Sequence, residues 1–524
     1  SVALAIGLIA LGFAHGAFAA DRCVRLNTFK LGGMAVSVTR AEKMPAGPMP
    51  FSPSASPRAP QAPGELPAYC LVEGTINPHK GSDGKDYSIG FAVALPDDWT
   101  EQLLFQGGGG TDGTLFPPIG KVDSVTLVGT GGKLGLMRGM AVASTDSGHR
   151  AAGFDASFFA DQQANLDFQY ASIGKVTEVA KALIVAYYKK PLAHSYFAGC
   201  SMGGREAMIA AQRYPLEFDG VVSGAPAMRT AFSGIGDRWV SSALTAIAPR
   251  DDKGKPISDK ALSESDKKLV ISKLIDACDD LDGVKDGMIF NVKACKFEPK
   301  SLRCKGAKTD ACLSKAQVNA LDKAFAGPKD SQGRQVYPGF YYDTGIAATG
   351  FIPGLLQAAT GPAGATPVLT AADVDRDAAA AGSFFANTVG DTNQWTDLGT
   401  FSVHGGKLIF FHGVSDPWFS AEDTVDYYKR LGEASGGAEK TSTFARLFLV
   451  PGMGHCGGGP GALDNFDMLT PIVDWVEHGK APESVTATGK AFPGRSRPLC
   501  AYPKHAQYEG SGDSNDAANF ECRD

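Results

Sequence analysis

Residues 197–207 read FAGCSMGGREA, a serine set among glycines with a cysteine directly before it. The apolar run "SYFAGC" ahead of it has strand character, and "GGREAMIAAQRYP" behind it has helical spacing. Gly199-Cys200-Ser201-Met202-Gly203 therefore fits G-x-S-x-G at a strand-to-helix junction. That turn is too tight for side chains on either flank, lifts the serine hydroxyl above a sheet, and points a helix N-terminus at whatever the hydroxyl attacks. A chain carrying it needs strands that end at one edge of a sheet and feed helices, which means a mostly parallel sheet covered on both faces.

The flanking sequence keeps that rhythm. "YSIGFAVALP", "QLLFQGGGG" and "MAVASTDSG" read as short strands ending in turn residues, and "ASIGKVTEVAKALIVAYY" as a helix. After "FDGVVSGAPA" the alternation stops until "KLIFFHGVSDPW", followed by a helix in "TVDYYKRLGEA", a strand in "ARLFLVPGMGHC" and a helix in "MLTPIVDWVEHG". The expected organisation is a core in two parts, residues 71–225 and 401–524, interrupted by a lid domain over 226–400.

The start differs in kind. "SVALAIGLIALGFAHGAFAADRC" is apolar, free of acidic and basic side chains up to Asp21, and closes on small residues, so residues 1–19 read as a signal peptide lacking its start. Residues 20–70 are expected to be an extended segment, Pro/Ala/Ser-rich over 44–68. Export, to a periplasm or beyond the cell, makes the ten cysteines a disulfide framework. Spacing pairs Cys23 with Cys70, Cys278 with Cys295, Cys304 with Cys312 and Cys500 with Cys522, which leaves Cys200 and Cys456 for each other. The net charge of -6 with no basic stripe excludes a nucleic-acid partner, and no membrane anchor is expected once the signal is removed.

An elbow serine needs a base and an orienting acid, in the order Ser, then Asp or Glu, then His. Of nine histidines, His455 lies in a glycine-rich loop after a strong strand; His404, His412, His194 and His478 read as structural. Asp416 follows the strand "KLIFFHG", with Glu422 and Asp423 as the fallback. In those roles Ser201 attacks an ester carbonyl, His455 moves the proton and Asp416 fixes the imidazole. The oxyanion donors are expected to be the N–H of Met202 and one from Gly107–Gly110, either Gly108 or Gly109. If Ser201 and His455 meet, Cys200 and Cys456 are near enough to be bridged, stapling the two loops.

"DACDDLDGVKDGMI" carries Asp279, Asp282 and Asp286 between glycines, a set suited to a hard cation. Structural calcium is expected, with the backbone carbonyls of Val284 and Met288 as further ligands; no organic cofactor is expected.

With Cys-Ser at 200 and 201, Asp416, and His-Cys at 455 and 456, the chain resembles the tannase and feruloyl esterase family from about Cys70 onward. The resemblance implies an α/β-hydrolase core with an inserted lid, a disulfide between the residue before the serine and the residue after the histidine, calcium in the lid, and hydrolysis of small aromatic esters such as feruloyl or galloyl esters. The closing third, including "RLFLVPGMGHCGGGPG" and "GSGD", looks most like the mono(2-hydroxyethyl) terephthalate hydrolase branch. That branch holds the substrate's free carboxylate with a lid arginine in Gly-Trp-Arg; after the matching "DTG" at 343–345 this chain has Gly350-Phe351-Ile352-Pro353. By the same resemblance Phe419 packs on the substrate ring; Tyr342 is a second aromatic candidate. A hydrolase fold kept as a catalytically silent binding protein is the competing reading from another class.

Overall fold

The structure, a computed structural model, describes residues 22–49, 64–350, 352–357 and 367–524. The signal peptide read at 1–19 and most of the Pro-rich stretch lie outside the described residues. The chain divides into two compact units, one of residues up to Ser223 with Thr400–Lys407, the other of Gly224–Gly399 with Leu408–Asp524. The region read as a lid thus belongs with the C-terminal strands in the second unit.

The first unit is built on strands β1 (Val36–Met44), β2 (Tyr69–Lys80), β3 (Asp86–Pro96), β4 (Gln102–Gln106), β5 (Ala141–Thr145), β6 (His194–Cys200) and β7 (Gly220–Gly224), in the spatial order β1-β2-β3-β5-β4-β6-β7. The early strands pair antiparallel, whereas β4 pairs parallel with both β5 and β6. Here β4 and β6 are buried on both faces, which is why apolar residues stand at consecutive positions, Leu103-Leu104-Phe105 and Tyr196-Phe197-Ala198; Phe105 stacks on its register partner Phe197 at 4.8 Å. Helix α1 (Ser172–Tyr188) buries Ile173, Val176, Ala180, Leu183 and Tyr187, one stripe at 3.6-residue spacing, and ends where Lys189 turns left-handed at φ 63°. Helix α2 (Met202–Arg213) starts directly after Ser201.

Part of the segment read as extended over 20–70 is paired in the sheet. "VSVTRAEKM" supplies β1, which pairs from Val36↔Ile76 to Met44↔Tyr69, and the Cys23–Cys70 disulfide anchors its approach. Proline-rich neighbours masked the period-two strand in the sequence reading.

In the second unit, helices α3 (Thr230–Thr245), α4 (Glu264–Cys278) and α5 (Lys315–Phe325) share an apolar cluster that includes Val240, Leu274, Leu321 and Phe340. Ser263 with Asp266, and Ser314 with Gln317, form capping boxes that start α4 and α5, each satisfying two N–H groups left open by the helix end. Strand β8 (Lys407–Gly413) pairs parallel with β9 (Ala445–Val450), and helices α6 (Ala421–Ala434) and α7 (Leu469–His478) follow them. Cys278–Cys295 and Cys304–Cys312 close the short loops, and Cys500–Cys522 pins the tail, as the spacing predicts. No helix among the described residues is long and apolar enough to cross a membrane.

Candidate active site

Ser201 sits between β6 and α2 at φ 64°, ψ -123°, a conformation that an L-residue adopts only under strain. The glycines around it answer to close approach: a Cβ on Gly199 would lie 2.2 Å from the Gly203 oxygen, and one on Gly203 would lie 2.8 Å from the Gly108 oxygen. Those contacts lock the elbow to the glycine loop after β4. Gly107 N–H donates to Ala198 O at 2.9 Å, continuing the β4–β6 ladder past the strand.

Within that loop Gly108 and Gly109 differ. Gly108 N–H donates to Glu206 Oε2 at 2.9 Å, so it is spent, whereas no acceptor for the N–H of Gly109 or of Met202 occurs among the described residues. Behind the loop, Ser147 Oγ touches both Glu206 Oε1 at 2.9 Å and Asp112 Oδ2. All three side chains are buried.

In the second unit, Asp416 and His455 come together. His455 Nδ1 lies 2.7 Å from Asp416 Oδ2, and both residues are buried. Asp416 Oδ1 accepts the N–H groups of Trp418 at 2.9 Å and Phe419 at 3.0 Å. Burial pushes this carboxyl up, but the His455 charge and hydrogen bonds from His412 and His455 outweigh it and hold it well below the usual carboxylate range.

His412, read as structural, reaches the same carboxylate: its Nε2 is 3.3 Å from Asp416 Oδ2 and 2.9 Å from Phe419 O, and its Nδ1 is 2.9 Å from Thr424 Oγ1. A carbonyl oxygen only accepts, so Nε2 carries the proton and Asp416 Oδ2 receives two imidazole donors. Asp343 performs a related task from the "DTG" stretch: its Oδ2 accepts Ser415 Oγ and Gly452 N–H, each at 2.6 Å, joining the acid loop to the base loop.

The aromatic candidates separate. Phe419 packs edge-on against His455 at 5.1 Å, and Trp418, which the sequence reading passed over, lies 5.0 Å from the same ring. Tyr342 instead stacks on Phe325 at 3.9 Å and packs against the lid's apolar cluster. The fallback acid Asp423 is engaged by Arg229, and Glu422 stands in the first turn of α6. Cys200 and Cys456 are both disulfide-bonded.

The acidic loop forms a tight knot. Asp279 Oδ1 accepts Asp286 and Gly287 N–H, Asp282 accepts Val284 and Phe290 N–H, and Asp286 accepts Met288 N–H while pairing with the buried Arg497. Burial and the charges of Asp286 and Asp279 push Asp282 up to about 7. An all-oxygen, acidic donor set whose members repel one another suits a hard cation.

A family model described as tannase and feruloyl esterase matches residues 70–394 and 371–523. This chain belongs to the tannase and feruloyl esterase family. It is 38% identical over 524 aligned residues to mono(2-hydroxyethyl) terephthalate hydrolase of Piscinibacter sakaiensis, covering 87% of this chain and 85% of that one. A probable feruloyl esterase of Arthroderma benhamiae is 31% identical, with 90% of this chain and 88% of that one covered. Among solved structures, feruloyl esterase B from Aspergillus oryzae superposes with a TM-score of 0.77 at 24% identity, covering 96% of this chain and all 100% of that one. The fold is that of an α/β hydrolase, a large, mostly parallel sheet with helices, and the chain, like its family, is a carboxylic ester hydrolase.

Proposed function

We propose that this hydrolase acts on small aromatic esters, of the feruloyl or galloyl kind, by acyl transfer through Ser201. The reading rests above all on the buried couple of His455 Nδ1 and Asp416 Oδ2 at 2.7 Å, the orientation an imidazole needs to accept a serine proton at Nε2. Ser201 Oγ attacks the ester carbonyl and His455 takes its proton. His455 then protonates the leaving alcohol, and water completes the second half by the reverse route. Asp416 keeps the Nδ1–H tautomer and stabilises the imidazolium. Met202 N–H and Gly109 N–H stabilise the oxyanion, because Gly108 N–H is committed to Glu206. The last disulfide joins Cys200 to Cys456 and staples elbow to base loop. Trp418 and Phe419 beside His455 favour an aromatic substrate.

The 38% identity to the terephthalate monoester hydrolase favours a second reading, that enzyme's substrate. Gly350-Phe351-Ile352-Pro353 in place of a carboxylate-binding arginine speaks against it. Calcium on Asp279, Asp282 and Asp286 would neutralise and cross-link the acidic loop; chelation is then expected to lower the melting temperature without touching the mechanism. Ten oxidised cysteines support export of the protein.

Product release from methyl ferulate, methyl gallate and mono(2-hydroxyethyl) terephthalate, with Ser201→Ala as blank, tests the reading. Ferulate or gallate is expected to turn over fastest, and faster turnover of the terephthalate monoester overturns the substrate assignment. A fluorophosphonate should label the wild type and leave Ser201→Ala unlabelled; labelling of both variants would remove Ser201 from its role.

A further inference from the structure

Asp112, Ser147 and Glu206 lie behind the glycine loop and take no part in the acyl transfer described above. Glu206 Oε2 accepts Gly108 N–H and its Oε1 lies 2.9 Å from Ser147 Oγ. Ser147 Oγ also contacts Asp112 Oδ2, while Asp112 Oδ1 is buried with no partner among the described residues. A serine hydroxyl has one proton and cannot donate to two carboxylates at once. One of the two acids must therefore hold a proton. Glu206 has a donor for each oxygen, and Asp112 has a buried oxygen with none, an arrangement that suits a neutral acid far better than an anion.

We infer that Asp112 is the protonated member of a hydrogen-bonded chain, Asp112 to Ser147 to Glu206, and that Glu206, as the anion, is a positioning residue that holds the oxyanion loop through Gly108 N–H. This rests on the triad and oxyanion reading proposed above. Two independent features agree with it. Asp112 and Ser147 are non-glycine residues held at φ 49° and 62°, strain that persists only where surrounding structure imposes it. The loop also lies directly on the acids: a Cβ on Gly108 would meet the Asp112 carboxyl at 2.9 Å, and one on Gly107 would meet Glu206 Oε2 at 3.2 Å. Burial and the Glu206 charge push the Asp112 carboxyl well above its ordinary range, with Arg205 the nearby opposing charge.

The charge assignment makes the two amide substitutions unequal. Glu206→Gln offers one acceptor oxygen where two donors converge, so Gly108 or Ser147 is released. Asp112→Asn replaces a neutral donor by a neutral donor. With a p-nitrophenyl ester, and rates normalised to the fluorophosphonate-labelled fraction, Glu206→Gln is expected to lower kcat about 30-fold or more at nearly constant KM. Asp112→Asn is expected to lower it by about threefold at most. The wild type should also lose kcat at alkaline pH as Asp112 ionises, and Asp112→Asn should remove that loss. The reverse ranking, or equal losses after normalisation, would overturn the assignment while leaving the triad intact. A wild type that neither labels nor turns over an ester would sink the triad reading and this inference with it.

Discussion

Asp416 and Asp112 are both buried carboxyls beside a loop the chemistry needs, yet they are driven to opposite charge states. Burial pushes both up. Asp416 meets two backbone N–H groups on one oxygen and two imidazoles on the other, and is held ionised. Asp112 shares a single hydroxyl with a second carboxylate and keeps an oxygen with no donor among the described residues. Burial sets the cost of charge, and the count of donors decides whether that cost is met. The charged acid faces two imidazoles, and the neutral acid leaves Glu206 as the anion that holds the Gly108 amide.

Breaking the first member of the pair should give the largest effect. Asp416→Asn removes the charge and favours the wrong His455 tautomer, so kcat should fall by about 10³–10⁴. Steady-state rates on a p-nitrophenyl ester would check this, and a loss under tenfold would move the acid's role elsewhere. Next comes the elbow itself, with both carboxyls untouched. Cys200→Ala with Cys456→Ala should lower turnover about a hundredfold, the cost of small misplacement, while circular dichroism stays nearly native. Full turnover in that variant would refute the staple.

His412 sharpens the comparison, because it removes one donor from Asp416 and leaves the charge. His412→Leu should lower kcat about tenfold. His412→Gln, which retains a donor near Nε2, should recover most of that loss at nearly constant KM. Equal losses in the two variants would leave His412 a packing residue.

The sharp turn at Ser201 and the loops that bring Asp416 to His455 were legible because each announces itself locally: glycines around Ser201, and loops directly after apolar strands for Asp416 and His455. Four of the disulfides were legible from position: two close short loops, one pins the N-terminal segment and one the tail. The glycine loop was legible, but which amide stays free was not, since that depends on Glu206, 98 residues away from Gly108. His412 lies four residues before Asp416, in a strand whose apolar run gave no hint that this histidine points at Asp416. Tyr342 shows the converse limit. An aromatic residue in a lid reads equally well as a pocket wall or as core, and its stacking on Phe325 is a tertiary fact.

The smallest expected effect tests the neutral member of the pair through stability. Asp112 titrates well above its unfolded value, so the folded state binds the extra proton. Its contribution to stability is full below the unfolded carboxyl pKa of about 3.9 and is lost as pH rises through the raised folded value. Asp416 runs the other way: its depressed value contributes stability above the unfolded pKa and loses it on strong acidification. Asp112→Asn removes only the first of these. Melting curves from pH 5 to 9 should show the wild type losing stability at the alkaline end, while the variant runs flatter and lies about 2 °C higher there. At pH 5, where Asp112 already holds its proton, the two curves should nearly coincide. A variant that is less stable at every pH by the same amount would mean that Asp112 accepts as an anion, and the contrast with Asp416 would fail.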